Sequence, residues 1–101
     1  MEQLAKAIGT NESIHTINFS NVKIMPDTAT HLSNALSQNM SLKSLTLIEN
    51  GLGDQSMINL AKGIAENICL ENIDLRHNNF ESDGFKALIN ALKETYACKV
   101  L

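Results

Sequence analysis

Leu42-Lys43-Ser44-Leu45-Thr46-Leu47-Ile48-Glu49-Asn50-Gly51-Leu52 is the stretch on which the fold turns, because each of its four leucines has an apolar counterpart one fixed step away. Ile14, Leu42, Leu70 and Cys98 stand 28 residues apart, and so do Ile17, Leu45, Ile73 and Leu101. Phe19, Leu47 and Leu75 form a third column, and Ile24, Leu52 and Phe80 a fourth. The column Leu4, Leu32, Leu60, Leu88 and the column Ile8, Leu36, Ile64, Leu92 carry the same period through the other half of each unit. No insertion is needed, and a fixed period of this length marks a repeat architecture.

Spacing inside the unit identifies its two halves. Leu45 and Leu47 on either side of Thr46 follow the two-residue alternation of a short strand with one buried face. Met57, Leu60, Ala61 and Ile64 follow the i, i+3, i+4, i+7 spacing of a helix face. Each unit is therefore a strand followed by a helix, and a strand regained through one helix lies parallel to its predecessor, with a right-handed crossover expected. Asp54 and Ser82 are placed to cap helix starts, and Pro26, in the same column, suits a first turn. Asn11, Asn39 and Asn67 recur near the helix ends, where the expectation is a left-handed closing residue. The reading is one α/β domain over residues 1–101. It divides into a partial repeat 1–13, repeats 14–41, 42–69 and 70–97, and a partial repeat 98–101, stacked as a curved solenoid with a parallel sheet inside and helices outside.

Leu42, Leu45, Leu47, Asn50 and Leu52 spell L-x-x-L-x-L-x-x-N-x-L, and Leu70, Ile73, Leu75, Asn78 and Phe80 match it. This resembles the leucine-rich repeat, and the 28-residue unit with a full helix is similar to its ribonuclease-inhibitor-like subclass, a right-handed βα horseshoe. The resemblance implies that Asn50 and Asn78 hydrogen-bond the turn after the strand and ladder neighbouring units together. Val22 departs from the pattern, so a reshaped turn supported by Asn21 is expected there. Both ends of the chain fall in mid-repeat without a polar cap, which suggests a piece of a longer solenoid able to associate through its open ends.

Composition narrows the function. The chain has 101 residues, a net charge of -3, 44% apolar and 19% charged residues, and a single proline, which fits one folded domain and argues against disorder. The acid excess argues against nucleic acid as partner, and no apolar run approaches the ~20 residues of a membrane span. With no signal peptide pattern, the expected location is the cytoplasm. Cys69 and Cys98 are expected as reduced thiols, and the N-x-S triplets at Asn11, Asn18 and Asn39 as incidental to glycosylation. His15, His31 and His77 fall in three different columns, so no metal site or catalytic triad is expected; nor does any glycine-rich phosphate loop call for a cofactor.

The strand residues between buried positions face the concave side. The candidate partner-binding set is Asn18, Ser20, Thr46, Ile48, Glu49, Asp74, Arg76 and His77, with Ile48 as apolar anchor. The favoured function is a non-catalytic protein-protein interaction module acting through that face or its edge. The alternative is a structural segment of a larger solenoid or of an actin-capping-like or axonemal cytoskeletal assembly. Third comes a GTPase-activating regulator, for which Arg76, the only arginine, would supply the charge.

Overall fold

The structure, a computed structural model, describes residues 2–95 and 99–100. Helix and strand alternate along the chain: α1 (Glu2–Thr10), β1 (Thr16–Asn18), α2 (Pro26–Gln38), β2 (Ser44–Thr46), α3 (Asp54–Glu66), β3 (Asn72–Asp74), α4 (Ser82–Leu92) and β4 (Lys99–Val100). The four strands form one parallel sheet in the order β1-β2-β3-β4. Thr16, Ile17 and Asn18 pair with Ser44, Leu45 and Thr46, which pair in turn with Asn72, Ile73 and Asp74, the 28-residue column realised as strand register. The pairing outlasts the strands: the Phe19 N–H donates to Thr46 O at 2.9 Å, and the Leu47 N–H donates to Asp74 O at 2.8 Å.

The last pair departs from the expected register. Asn72 pairs with Lys99 and Ile73 with Val100, so the fourth strand arrives one residue early and Val100, not Leu101, occupies the inward column. A one-residue slip turns every side chain to the other face, and Val100 packs against the core. Cys98 and Leu101 lie outside the described residues, as does any partnership of Cys98. The Cys69 thiol donates to Met40 O at 2.9 Å.

One face of the sheet carries the helices. Leu45, Leu47, Ile73 and Leu75 from the strand side meet Leu32, Leu36, Leu60, Ile64 and Leu88 from α2, α3 and α4, all buried in one cluster. Burying one such side chain is worth about 1.5–3 kcal/mol, so this seam is what holds the stack together. Ala5, Ile8 and Ala35 make a small second cluster under α1. Because each helix returns the chain to the start of a parallel strand, all four helices point the same way.

Two expectations about helix ends are corrected. Asn39 and Asn67 are extended, at φ −70°, ψ 134° and φ −77°, ψ 136°, not left-handed. Their side chains do the closing instead: Asn39 Oδ1 accepts from the N–H groups of Ser41 (2.8 Å) and Leu42 (2.6 Å), and Asn67 Oδ1 from those of Cys69 (2.8 Å) and Leu70 (2.6 Å). Left-handed backbone belongs to the turns after β1, β2 and β3, at Asn21, Glu49 and His77, with φ of 58°, 57° and 61°, and in the first of these turns also at Lys23. Asp54 and Ser82 do not cap their own helices, each being the first helical residue behind Gly53 and Glu81. Asp54 Oδ1 accepts from the N–H groups of Glu81 (2.6 Å) and Gly84 (3.0 Å), so it caps the next helix, α4. Parallel helices start along one edge, which puts a short carboxylate within reach of its neighbour's free N–H groups.

Candidate interaction surface

The face of the sheet turned away from the helices is built from rows that run across the strands, the first of them Thr16, Ser44 and Asn72. Asn18, Thr46 and Asp74 form one row in register, Ser20, Ile48 and Arg76 continue it past the strand ends, and the left-handed residues Asn21, Glu49 and His77 close it. All eight candidate residues thus lie on one surface, about 14 Å across for four strands at ~4.8 Å spacing. Asn18, Ser20, Glu49, Arg76 and His77 are exposed, while Thr46 and Ile48 are half-buried. Ile48 therefore offers one flank of its side chain. Ser20 Oγ donates to Asn18 Oδ1 at 2.7 Å, joining two of the candidates into one polar unit.

Asp74 is the exception. It is buried, and Arg76 folds back over it: Nη2 donates to Oδ2 at 2.8 Å, Nε to Oδ1 at 3.0 Å, and the Arg76 N–H to Oδ1 at 3.1 Å. Asp74 is thus a support for Arg76 and not a contact residue. A two-point carboxylate fork fixes the guanidinium plane, with its outer edge exposed. The side-chain hydrogen bonds from Arg76 hold the Asp74 carboxyl below its ordinary value, against the opposing effect of burial, and Arg76 holds its proton correspondingly harder. A carboxyl depressed in the folded state adds stability that is full above its ordinary value and is lost as pH falls through the folded one. In Arg76→Ala the Asp74 midpoint should move upward in a carbon-detected NMR titration; an unmoved midpoint would deny the fork.

Asn50 and Asn78 form the ladder expected beneath this surface. Asn50 Oδ1 accepts from the N–H groups of Val22 (2.6 Å) and Lys23 (3.2 Å), and Nδ2 donates to Phe19 O. Asn78 Oδ1 accepts from the Asn50 N–H at 2.9 Å and the Leu52 N–H at 3.1 Å, and Nδ2 donates to Leu47 O at 2.8 Å. Each asparagine serves the turn of the unit before it. Val22 therefore leaves its own turn satisfied, and Asn50, not Asn21, supplies the support.

Sequence reasoning missed a second ladder at the opposite edge. Asn39 Nδ2 donates to Ile8 O (2.7 Å) and Asn11 O (3.1 Å), and Asn67 Nδ2 to Leu36 O (2.8 Å) and Asn39 O (3.2 Å). The recurrence of asparagine at 11, 39 and 67 was its visible signal. His15, the nearest imidazole to that edge, has Nδ1 3.1 Å from Ser41 O. Among the described residues no cluster of three or more His, Cys, Asp or Glu is placed to hold a metal ion, and no helix is long and apolar enough to cross a membrane.

No family model matches the chain. Protein TORNADO 1 of Arabidopsis thaliana is 26% identical over 98 residues, which are 97% of this chain and 7% of that protein. Tropomodulin-4 of Bos taurus is 25% identical over 96 residues, 93% of this chain and 28% of that protein. The chain thus spans less than a third of the length of either relative. The solved structure of leiomodin-1 actin-binding site 2 superposes with a TM-score of 0.85 at 18% identity, covering 98% of this chain and 58% of that one, a likeness of fold. The 28-residue columns and the asparagine ladder agree with these likenesses, and together they support the resemblance to the leucine-rich repeat.

Proposed function

We propose that the chain is a non-catalytic protein-binding module of the ribonuclease-inhibitor-like subclass, a stretch of right-handed horseshoe whose concave sheet face takes a cytoskeletal protein, actin first, in the cytoplasm. The observation that supports this reading is the pairing of a side-chain-rich sheet face with a fold shared by leiomodin-1 actin-binding site 2. Fixed Arg76, half-buried Ile48 and the Asn18–Ser20 pair give that face a charged end, an apolar middle and a polar end. A strip this narrow supplies less than the roughly 800 Å² per partner of a standard interface, so the partner is held weakly or extends over neighbouring surface. The exposed apolar side chains of Phe85 and Ile89 on α4, in the columns of buried Met57 and Ala61, support association through the end of the stack. The GTPase-activating reading is weaker, since the guanidinium it needs is engaged by Asp74.

The test is titration of the chain with purified monomeric and filamentous actin, followed by anisotropy and co-sedimentation. Ile48→Ser combined with Arg76→Ala should weaken binding about tenfold or more, as expected when a central anchor and a fixed cation are lost together. Unchanged affinity would remove the sheet face from the reading and favour a purely structural segment. A parent chain that ignores both forms of actin would remove the partner.

A further inference from the structure

The edge where helices hand over to strands carries two apolar side chains that nothing among the described residues covers. Met40 and Ile68 are 70% and 77% exposed, the most exposed large apolar residues described, and they share one column 28 residues apart. Each follows a ladder asparagine. The bonds from Asn39 to Ser41 and Leu42, and from Asn67 to Cys69 and Leu70, clamp the backbone on both sides of the exposed residue. Asn67 Nδ2 also donates to Asn39 O, which ties the two clamps to each other. The two side chains are thus presented on a rigid, cross-linked backbone, a preorganised pair of anchors.

Beside Met40 lies a cavity of about 490 Å³ bounded by Gly9, Thr10, Glu12 and Gln38; beside Ile68 lies one of about 200 Å³ bounded by Asn67, Glu71 and Glu94. The charge of this edge is negative. All four helices end here, each contributing about half a negative charge from its last carbonyls, and no helix has a basic residue in its last turn. Glu66 ends α3, and Glu12 and Glu94 follow α1 and α4. Of the nearby cations, Lys43 faces Glu71 at 3.7 Å, Lys93 is the C-cap of α4, and Lys99 opens β4 beside Asn72.

We propose that this edge, a surface separate from the sheet face, docks a basic peptide segment of a partner protein. Apolar side chains of the segment seat beside Met40 and Ile68, and its Lys or Arg side chains meet Glu12, Glu66, Glu94 and the helix carbonyl ends. The negative edge selects this occupant over an anionic lipid surface, which it would repel.

The probe is a short fluorescein-labelled peptide of alternating leucine and lysine, titrated with the full chain, next to a peptide in which glutamate replaces lysine. Binding of the basic peptide should weaken with salt, since the charges involved are exposed. It should fall about tenfold or more in Met40→Ser with Ile68→Ser, which removes both anchors. The pair is largely solvent-exposed, so its thermal unfolding should match the parent. Ile48→Ser with Arg76→Ala should bind the peptide as the parent does, which separates this edge from the sheet face. Equal binding by the Met40 and Ile68 double variant, equal binding of the glutamate peptide, no binding by the parent, or sedimentation of the chain with phosphatidylcholine–phosphatidylserine vesicles would each overturn the proposal.

Discussion

Replacing Gly63 by alanine is expected to destabilise the chain by about 1–3 kcal/mol, the typical cost of forcing extra volume into a packed contact. Intrinsic helix propensity predicts the opposite sign, since alanine is favoured over glycine in a helix interior by about 1 kcal/mol. Packing decides between them. A Cβ on Gly63 would stand 2.7 Å from both Cα and Oγ of Ser33 and closer still to Ser33 O. The hydroxyl can rotate away, but the Cα and the carbonyl belong to the α2 backbone. Relief therefore requires α3 to move off α2, which opens the seam between Leu32, Leu36, Leu60 and Ile64. Urea unfolding should show a lower midpoint with an unchanged slope. Gly53→Ala is the control: nothing lies within 4 Å of its added Cβ, and its φ is −90°, so its effect should stay within about 0.5 kcal/mol. A Gly63→Ala chain as stable as the parent would mean that α2 and α3 are farther apart than the structure has them.

The same position shows where the sequence is informative and where it is silent. Its column reads Ala7, Ala35, Gly63, Ala91, so the need for a small residue was visible, but the distance to Ser33 was not. Apolar columns translate directly into strand register, as at Ile17, Leu45 and Ile73, because a buried side chain must face the same core in every unit. The fourth strand was misread by one residue for the same reason: Val100 and Leu101 are both apolar, and spacing alone cannot choose between them. Polar columns are harder. Asparagine at 39 and 67 could close a helix through its backbone or its side chain, and only the position of the preceding unit's carbonyls decides for the side chain. The candidate surface was legible as a set of residues on one face. The fork that turns Asp74 from contact into support was not, since it depends on the two side chains reaching one another. Nothing in the spacing marks Met40 and Ile68, whose distinction is their exposure.

Removing a buried asparagine of the second ladder should be among the costliest single truncations at the helix-to-strand edge, as Asn39 shows. Asn39 is 2% exposed and uses both ends of its amide: two N–H groups of Ser41 and Leu42 on Oδ1, and two carbonyls of Ile8 and Asn11 on Nδ2. Asn39→Ala leaves four backbone groups without that partner, at about 1–3 kcal/mol for each that stays buried. Asn11 is exposed, so water can reach its carbonyl, and the expected loss is about 3–5 kcal/mol in urea unfolding. Asn11→Ala provides the comparison. Asn11 Oδ1 accepts from the N–H groups of Ser13 and Ile14, both at 2.7 Å, but at an exposed site, and the loss should be about 1 kcal/mol or less. Asn39→Asp separates the two halves of the amide: it keeps the acceptor but aims a carboxylate at two carbonyls, so it should be at least as damaging as alanine. Hydrogen exchange at Ser41 and Leu42 gives the local readout and should accelerate in Asn39→Ala. If those amides stay protected and the midpoint is unmoved, the second ladder carries no load, and the rigid presentation of Met40 loses its basis.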